Sequence, residues 1–369
     1  MEMKRIVFLA FLCLFVFSLR AQLMVGYTGD PAAAALAHLN GPNVMLMNAF
    51  SQTIDPQQVG YFRDSTASIG LDSGLVISTG IIYGVLGPNS ITNMTLGGGF
   101  FMTDLDLATL TPLYANPVGD PGIIQMDLIP ASDTLEVSYV FGSEEYDEYT
   151  CSNKDDRMGM FLSGPGLAGP FTNGAINMAT LPVSGLPLTV NTLNRGIFGS
   201  EGSEGICGMN AQWQMDTIYY INNDFGLGTQ LDGYTVVLTA RAIVVPGAMY
   251  HLKIAIGDVG DANFDSAIFL PEGAIRCTDV STGLQGIDGA AHTVWYSDQE
   301  GVLYVRGLTA EAGPVNVEVF DPAGRLLQRL VATNNGTLWS AHLTEEIGGM
   351  VILRAWQQEN VVTGRVFVP

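Results

Sequence analysis

Lysine is nearly absent from this chain: Lys4, Lys154 and Lys253 are the full set, against 36 acidic residues and a formal charge of −21. A phosphate backbone is held by clustered Lys and Arg, so nucleic acid is excluded as a partner, and an anionic membrane surface is disfavoured for the same reason. Histidine is scarce as well. His38, His251, His292 and His342 leave little for a Ser-His pair or a zinc site. The sequence has no GxSxG elbow, HExxH helix, Walker loop or GxGxxG turn between strand and helix. It also lacks a sustained helical period, a repeat of fixed length, a coiled-coil heptad and a low-complexity tract. Its hydrophobic content of 47% argues against disorder.

The N-terminus is the one long apolar run. Lys4 and Arg5 precede IVFLAFLCLFVF, and Ser18-Leu19-Arg20-Ala21 stands before Gln22, the three-part plan of a secretory signal peptide over residues 1–21. The apolar stretch from Ile6 to Leu19 is shorter than the roughly 20 residues that span a bilayer, so a membrane anchor fits poorly. Cys13 has no small-residue lipobox leading to mature sequence, which argues against a lipoprotein. Cleavage would remove Glu2, Lys4, Arg5 and Arg20, a net +2, leave a formal charge of −23 and leave no transmembrane segment. From Gln22 onward the chain is acidic, Gly-rich and built of short apolar alternations. Turn clusters punctuate it at GPNS (87–90), DPG (120–122), SGPG (163–166) and NDFGLG (223–228). That pattern predicts an all-β secreted protein with one sizeable core and a second small one, and PAAAALAHL at 31–39 is a short helical exception.

Two segments share one design. In YVFGSEEYDEYTC (139–151) and the residues just before it, Leu135, Val137, Tyr139 and Phe141 fall every second residue, and Glu144, Glu145, Asp147 and Glu148 crowd the strand end. In YHLKIAIGDVGDANFDSAIFL (250–270), Tyr250, Leu252, Ile254 and Ile256 alternate, and Asp258, Asp261 and Asp265 come after them. Carboxylates so close repel one another unless water screens them or a hard cation gathers them. Asp261-x-Asn263-x-Asp265 with Glu272 also matches an EF-hand loop in part. However, Ser266 replaces the required Gly, and a strand rather than a helix precedes the loop. Asp104-Leu105-Asp106 is a weaker pair that serves a second cation or simply begins a turn. His251 alternates with core residues and reads as their solvent-facing neighbour. Trp213, Tyr219 and Tyr220 offer a sugar-stacking platform or, more ordinarily, core filling.

Together the two segments resemble the signature of the choice-of-anchor L domain, a family of secreted bacterial proteins. The resemblance extends in the family's order through GLDSGLVISTG (70–80), TDLDLATL (103–110), FLSGPG (161–166), LTVNTLNRG (188–196) and LDGYTVVLTA (231–240), and covers about residues 23–276. Glu144, Glu145, Asp156, Asp258, Asp261 and Asp265 match acidic positions of the family pattern and are the expected ligands of a bound Ca2+, with Asp147 and Glu148 left to solvent. The alternative is that these acids cap turns and solubilise strand ends. The family's cysteines imply a bridge between Cys151 and Cys207 that leaves Cys277 free, although three reduced cysteines or another pairing stay open.

Residues 277–290 have the composition of a linker, and residues 291–369 read as a second all-β module of hairpins. This module resembles the C-terminal sorting domain of the type IX secretion system, a small immunoglobulin-like sandwich. Phe320-Asp321-Pro322-Ala323-Gly324-Arg325 carries the likeness, as do Gly349 to Arg354 and Gly364 to Val368. WYSDQEG at 295–301 replaces the usual proline-rich opening, and Met350 stands where an aromatic is common. The resemblance implies recognition by the outer-membrane export machinery. The expectation is a jelly-roll-like β-sandwich, secreted or displayed on the cell surface, that binds a glycan or an envelope protein. The competing expectation is an extracellular polysaccharide hydrolase that uses two of the clustered carboxylates.

Overall fold

The computed structural model describes residues 23–99, 104–111, 117–209 and 211–278, and most of 293–368 with short breaks. The signal segment, most of the linker and the Pro322-Ala323-Gly324 turn lie outside the described residues. The chain divides into two compact units between Asp279 and Val280.

The first unit opens with β1 (Met24–Tyr27), α1 (Pro31–His38), β2 (Val44–Thr53), β3 (Val59–Arg63) and β4 (Ser73–Ser78). It continues through α2 (Leu105–Thr109), β5 (Val118–Pro130), β6 (Thr134–Ser143), β7 (Arg157–Ser163) and β8 (Ile176–Asn177). After α3 (Glu204–Cys207) come β9 (Tyr220–Asn222), β10 (Gly233–Thr235), β11 (Leu238–Ile243), β12 (Tyr250–Val259), β13 (Ser266–Pro271) and β14 (Ile275–Thr278). One sheet runs β1-β3-β4-β13-β6-β10-β9, with β11 and β14 also on β6, and a second runs β2-β5-β12-β7-β8. The pairings are antiparallel, as an all-β sandwich requires.

The alternation read from sequence sets the inner faces. Leu135, Val137, Tyr139 and Phe141 of β6 meet Ile124, Met126 and Leu128 of β5, Met158, Met160 and Leu162 of β7, and Leu252, Ile254 and Ile256 of β12 in one core. Each such side chain contributes about 1.5–3 kcal/mol of burial. The outer faces are covered too, which is why every residue of β6 and β7 is buried. Val140, Phe269, Phe62 and Val76 form a cluster outside the first sheet, and Phe161, Ala255, Val118 and Leu107 of α2 form one outside the second. The Cys151–Cys207 disulfide closes a loop with its Cα atoms 5.0 Å apart, and Cys277 is a free, buried thiol. Cys277 and Thr278, which composition assigns to the linker, belong instead to β14. The Cys277 amide bonds the Pro42 carbonyl, and burying the thiol extends the strand past the last alternating residue.

The second unit is all β: β15 (Thr293–Ser297), β16 (Val302–Arg306), β17 (Val315–Phe320), β18 (Leu326–Asn334), β19 (Trp339–His342), β20 (Gly349–Gln357) and β21 (Asn360–Val368). Its order is β15-β16-β19-β18-β17-β20-β21. The alternating Val315, Val317 and Val319 pack with Leu303, Val305, Val351 and Leu353 in a separate small core.

Candidate functional site

The two acidic segments meet at one end of the first unit. β13 pairs with β6 so that Ser266 faces Ser143, and the Glu144 amide bonds the Asp265 carbonyl at 3.1 Å. β12 pairs with β7, and the Asp155 amide bonds the Val259 carbonyl at 3.1 Å. These registers carry Glu144, Glu145, Asp156, Asp258 and Asp265 into one buried neighbourhood, each no more than 3% exposed. Asp261 stays at the rim, where it pairs with Lys154 and accepts from the Asn263 amide. The Asp261–Asp265 stretch therefore does not wrap around one point as an EF-hand loop would; Asp265 turns inward while Asp261 turns to the lysine.

Asp156 accepts a hydrogen bond on both of its oxygens, and Glu144, Glu145 and Asp265 each accept on one. Asp156 Oδ1 accepts from the Val259 amide at 3.0 Å and Oδ2 from the Ser266 hydroxyl at 2.6 Å. Glu145 Oε2 accepts from the Asp156 amide at 3.1 Å, and Glu144 Oε2 from the Met94 amide at 3.2 Å. Asp265 Oδ2 accepts from the Leu96 amide at 2.8 Å. Gly80 makes room for that carboxylate, since a Cβ there would overlap Asp265 Oδ2. Four of the remaining oxygens are bare. Glu144 Oε1, Glu145 Oε1 and both oxygens of Asp258 are buried without a hydrogen-bond partner, although Thr79 and Asp156 approach Asp258.

None of the five has an ion-pair partner among the described residues: the fully buried Arg157 pairs with Asp155 at 3.6 Å, and Lys154 with Asp261. Uncompensated burial must raise their pKa values. Burial, then Asp232 and Asp265, push Glu144 up to about 9. Burial, with Asp261 adding, pushes Asp156 up to about 8 against its hydrogen bonds. Burial, with Asp120 adding, pushes Asp265 up to about 7, and burial with neighbouring carboxylates raises Glu145 and Asp258 well above the usual range. A hard divalent cation would relieve the same repulsion, and the donor set is oxygen throughout, which suits Ca2+. Among the described residues, no three Asp, Glu, His or Cys side chains already converge on a metal-sized point.

Sequence reasoning missed part of this neighbourhood. Asp232, pushed up to about 7 chiefly by burial, lies beside Glu144 and bonds Asn89 at 2.8 Å. Asp120 lies beside Asp265, and Thr79 bonds Ser266. A weak signal for Asp232 existed in LDGYTVVLTA, an acid inside an otherwise apolar strand approach. Asp147 is half-buried rather than solvated, held by Arg195 at 2.8 Å and the Tyr220 hydroxyl at 2.9 Å. Tyr220 packs on the buried Tyr146, and Tyr219 lies against the main core, so neither forms an open stacking platform.

This arrangement places a cluster of buried acids at one end of an all-β sandwich module. The chain belongs to the choice-of-anchor L domain family, whose model matches residues 36–276. No curated protein matches it. Similar solved structures include the β-glucuronidase from Ruminococcus gnavus in complex with N1-substituted uronic isofagomine, at 11% identity, 90% coverage of this chain, 48% of that chain and a TM-score of 0.15. The apo form of the same enzyme gives 11%, 90%, 47% and 0.15. The chain thus spans about half the length of these enzymes, and superpositions this poor carry no functional argument.

Proposed function

We propose that the protein is a binding or scaffold module of the cell exterior, exported and anchored through residues 291–369 by the type IX secretion machinery. In this reading Ca2+ neutralises the buried acids and orders the sandwich end that presents a surface to a glycan or an envelope protein. Membership of the choice-of-anchor L family supports the surface address. The observation that carries the calcium step is Asp258, whose two oxygens are buried and unpartnered beside Glu145 and Asp156. The likeness of the second unit to a sorting domain supports the export step. Hydrolysis by two clustered carboxylates draws no support from their burial, because the scissile glycosidic bond must lie between the two groups.

The secreted full chain should retain envelope fragments or glycans on an array in millimolar calcium and lose them in chelator. Retention that is indifferent to calcium would remove the cation from the function. A chain shortened after residue 290 should remain inside the outer membrane, and its appearance outside would sink the sorting assignment.

A further inference from the structure

The two lysines left after signal cleavage have opposite surroundings. Lys154 sits at the rim beside Asp261, whereas Lys253, on the outward face of β12, is 9% exposed with its ammonium 4.9 Å from the centroid of the buried Phe161 ring. Across this face lies α2. Its N-cap Asp104 meets Lys253 Nζ at 3.0 Å and 2.9 Å through its two oxygens, and Asp106 Oδ2 meets it at 2.5 Å. A single carboxylate would neutralise the ammonium. The second makes the group over-compensated in a place where side-chain exposures are 11% for Lys253, 15% for Asp104 and 4% for Asp106.

Asp106 is also asymmetric. Its Oδ1 accepts from both the amide and the hydroxyl of Thr172, each at 2.7 Å, while Oδ2 faces the lysine. Oδ1, held by two donors, is therefore the oxygen on which charge would develop, and Oδ2, which the amine meets, is the one that would leave. We propose that Lys253 and Asp106 condense into an intramolecular isopeptide bond, with Asp104 as the proton carrier. A proton passes from the ammonium to Asp106 Oδ2, giving a neutral amine and a neutral acid. The nitrogen lone pair then attacks Asp106 Cγ, and the carbonyl electrons move onto Oδ1, which the two Thr172 donors stabilise. Asp104 takes a second proton from the nitrogen and delivers it to the Oδ2 hydroxyl. The Cγ–Oδ2 bond breaks, water leaves, the electrons return from Oδ1, and an amide with one N–H remains; no oxidant or co-reactant is consumed.

Burial raises the Asp106 carboxyl, but Lys253 and Thr172 outweigh it and hold the group below its ordinary range, so the ion pair is the resting form and attack proceeds from the less populated neutral pair. An adjoining cavity of about 310 Å3, bounded also by Gln125 and Asn173, gives the released water an exit. The bond would fasten α2 to the central strand of its sheet across a sequence separation of 147 residues, a clamp suited to a module outside the cell.

The deciding experiment is the intact mass of the purified full chain, with signal removal and the disulfide taken into account, followed by sequencing of its proteolytic peptides. The expected result is a deficit of one water and a branched peptide joining Lys253 to Asp106. Asp104→Asn and Lys253→Arg should both restore the full mass. A parent chain at full mass, with Lys253 open to amine acylation after unfolding, would overturn the proposal. Persistence of the deficit in Asp104→Asn would overturn the role given to Asp104.

Discussion

Two charged regions of the same sandwich handle their carboxylates in opposite ways. At the strand ends, Glu144, Glu145, Asp156, Asp258 and Asp265 are buried with no ion-pair partner among the described residues, and their pKa values rise. On the outer face of the second sheet, Asp104 and Asp106 share the ammonium of Lys253, and Asp106 stays below its ordinary range despite its burial. The contrast shows that burial alone does not decide protonation; a supplied cation does. A chain this poor in lysine furnishes Lys253 to the one region and, among the described residues, no paired cation to the five acids of the other.

The largest effect should come from removing the internal cation. Lys253→Met strands Asp104 and Asp106 and also forbids the bond proposed above, so it should cost at least about 3–5 kcal/mol in denaturant unfolding. If it cost nothing, the two regions would not differ as described. Next, Asp258→Asn should reverse sign with conditions. In chelator it removes an orphaned charge and should raise the melting temperature, and in calcium it should forfeit most of the about 2.7 kcal/mol expected at 100 times the dissociation constant. Gly80→Ala, whose Cβ would collide with Asp265 Oδ2, should cost about 1–3 kcal/mol and weaken the calcium response. The smallest effect belongs to Asp261→Asn. Its partner is Lys154 at the rim, so stability should change by less than about 1 kcal/mol with the calcium response intact; loss of the response would return Asp261 to the ligand set.

Much of the frame was legible in the sequence. Period-two alternation in Leu135 to Phe141 and in Tyr250 to Ile256 marked the two strands that bring the acids together, because such a pattern can bury only one way. Their convergence was implied by two segments of one design. Asp232, Asp120 and Thr79 were not legible as neighbours, since nothing local to them states which strands pair across the sheet. The pairing of Lys253 with Asp104 and Asp106 was hidden for the same reason, the partners being 149 and 147 residues away. Asp261 looked equivalent to Asp265 by spacing, and a backbone that turns one inward and the other toward Lys154 separates them.

We propose that the unpaired acids are held by protons at low pH and by a divalent cation at neutral pH. Because their folded pKa values lie above the unfolded carboxylate value, the stability they permit is complete below about pH 4. It is lost as pH rises through about 7 for Asp265, about 8 for Asp156 and about 9 for Glu144. The most direct measurement is the melting temperature of the full chain from pH 4 to pH 9, in chelator and in millimolar calcium. The melting temperature should fall steadily in chelator and hold level in calcium, with the curves separating above about pH 6 by roughly 5–10 °C. Superimposable curves at every pH would contradict it.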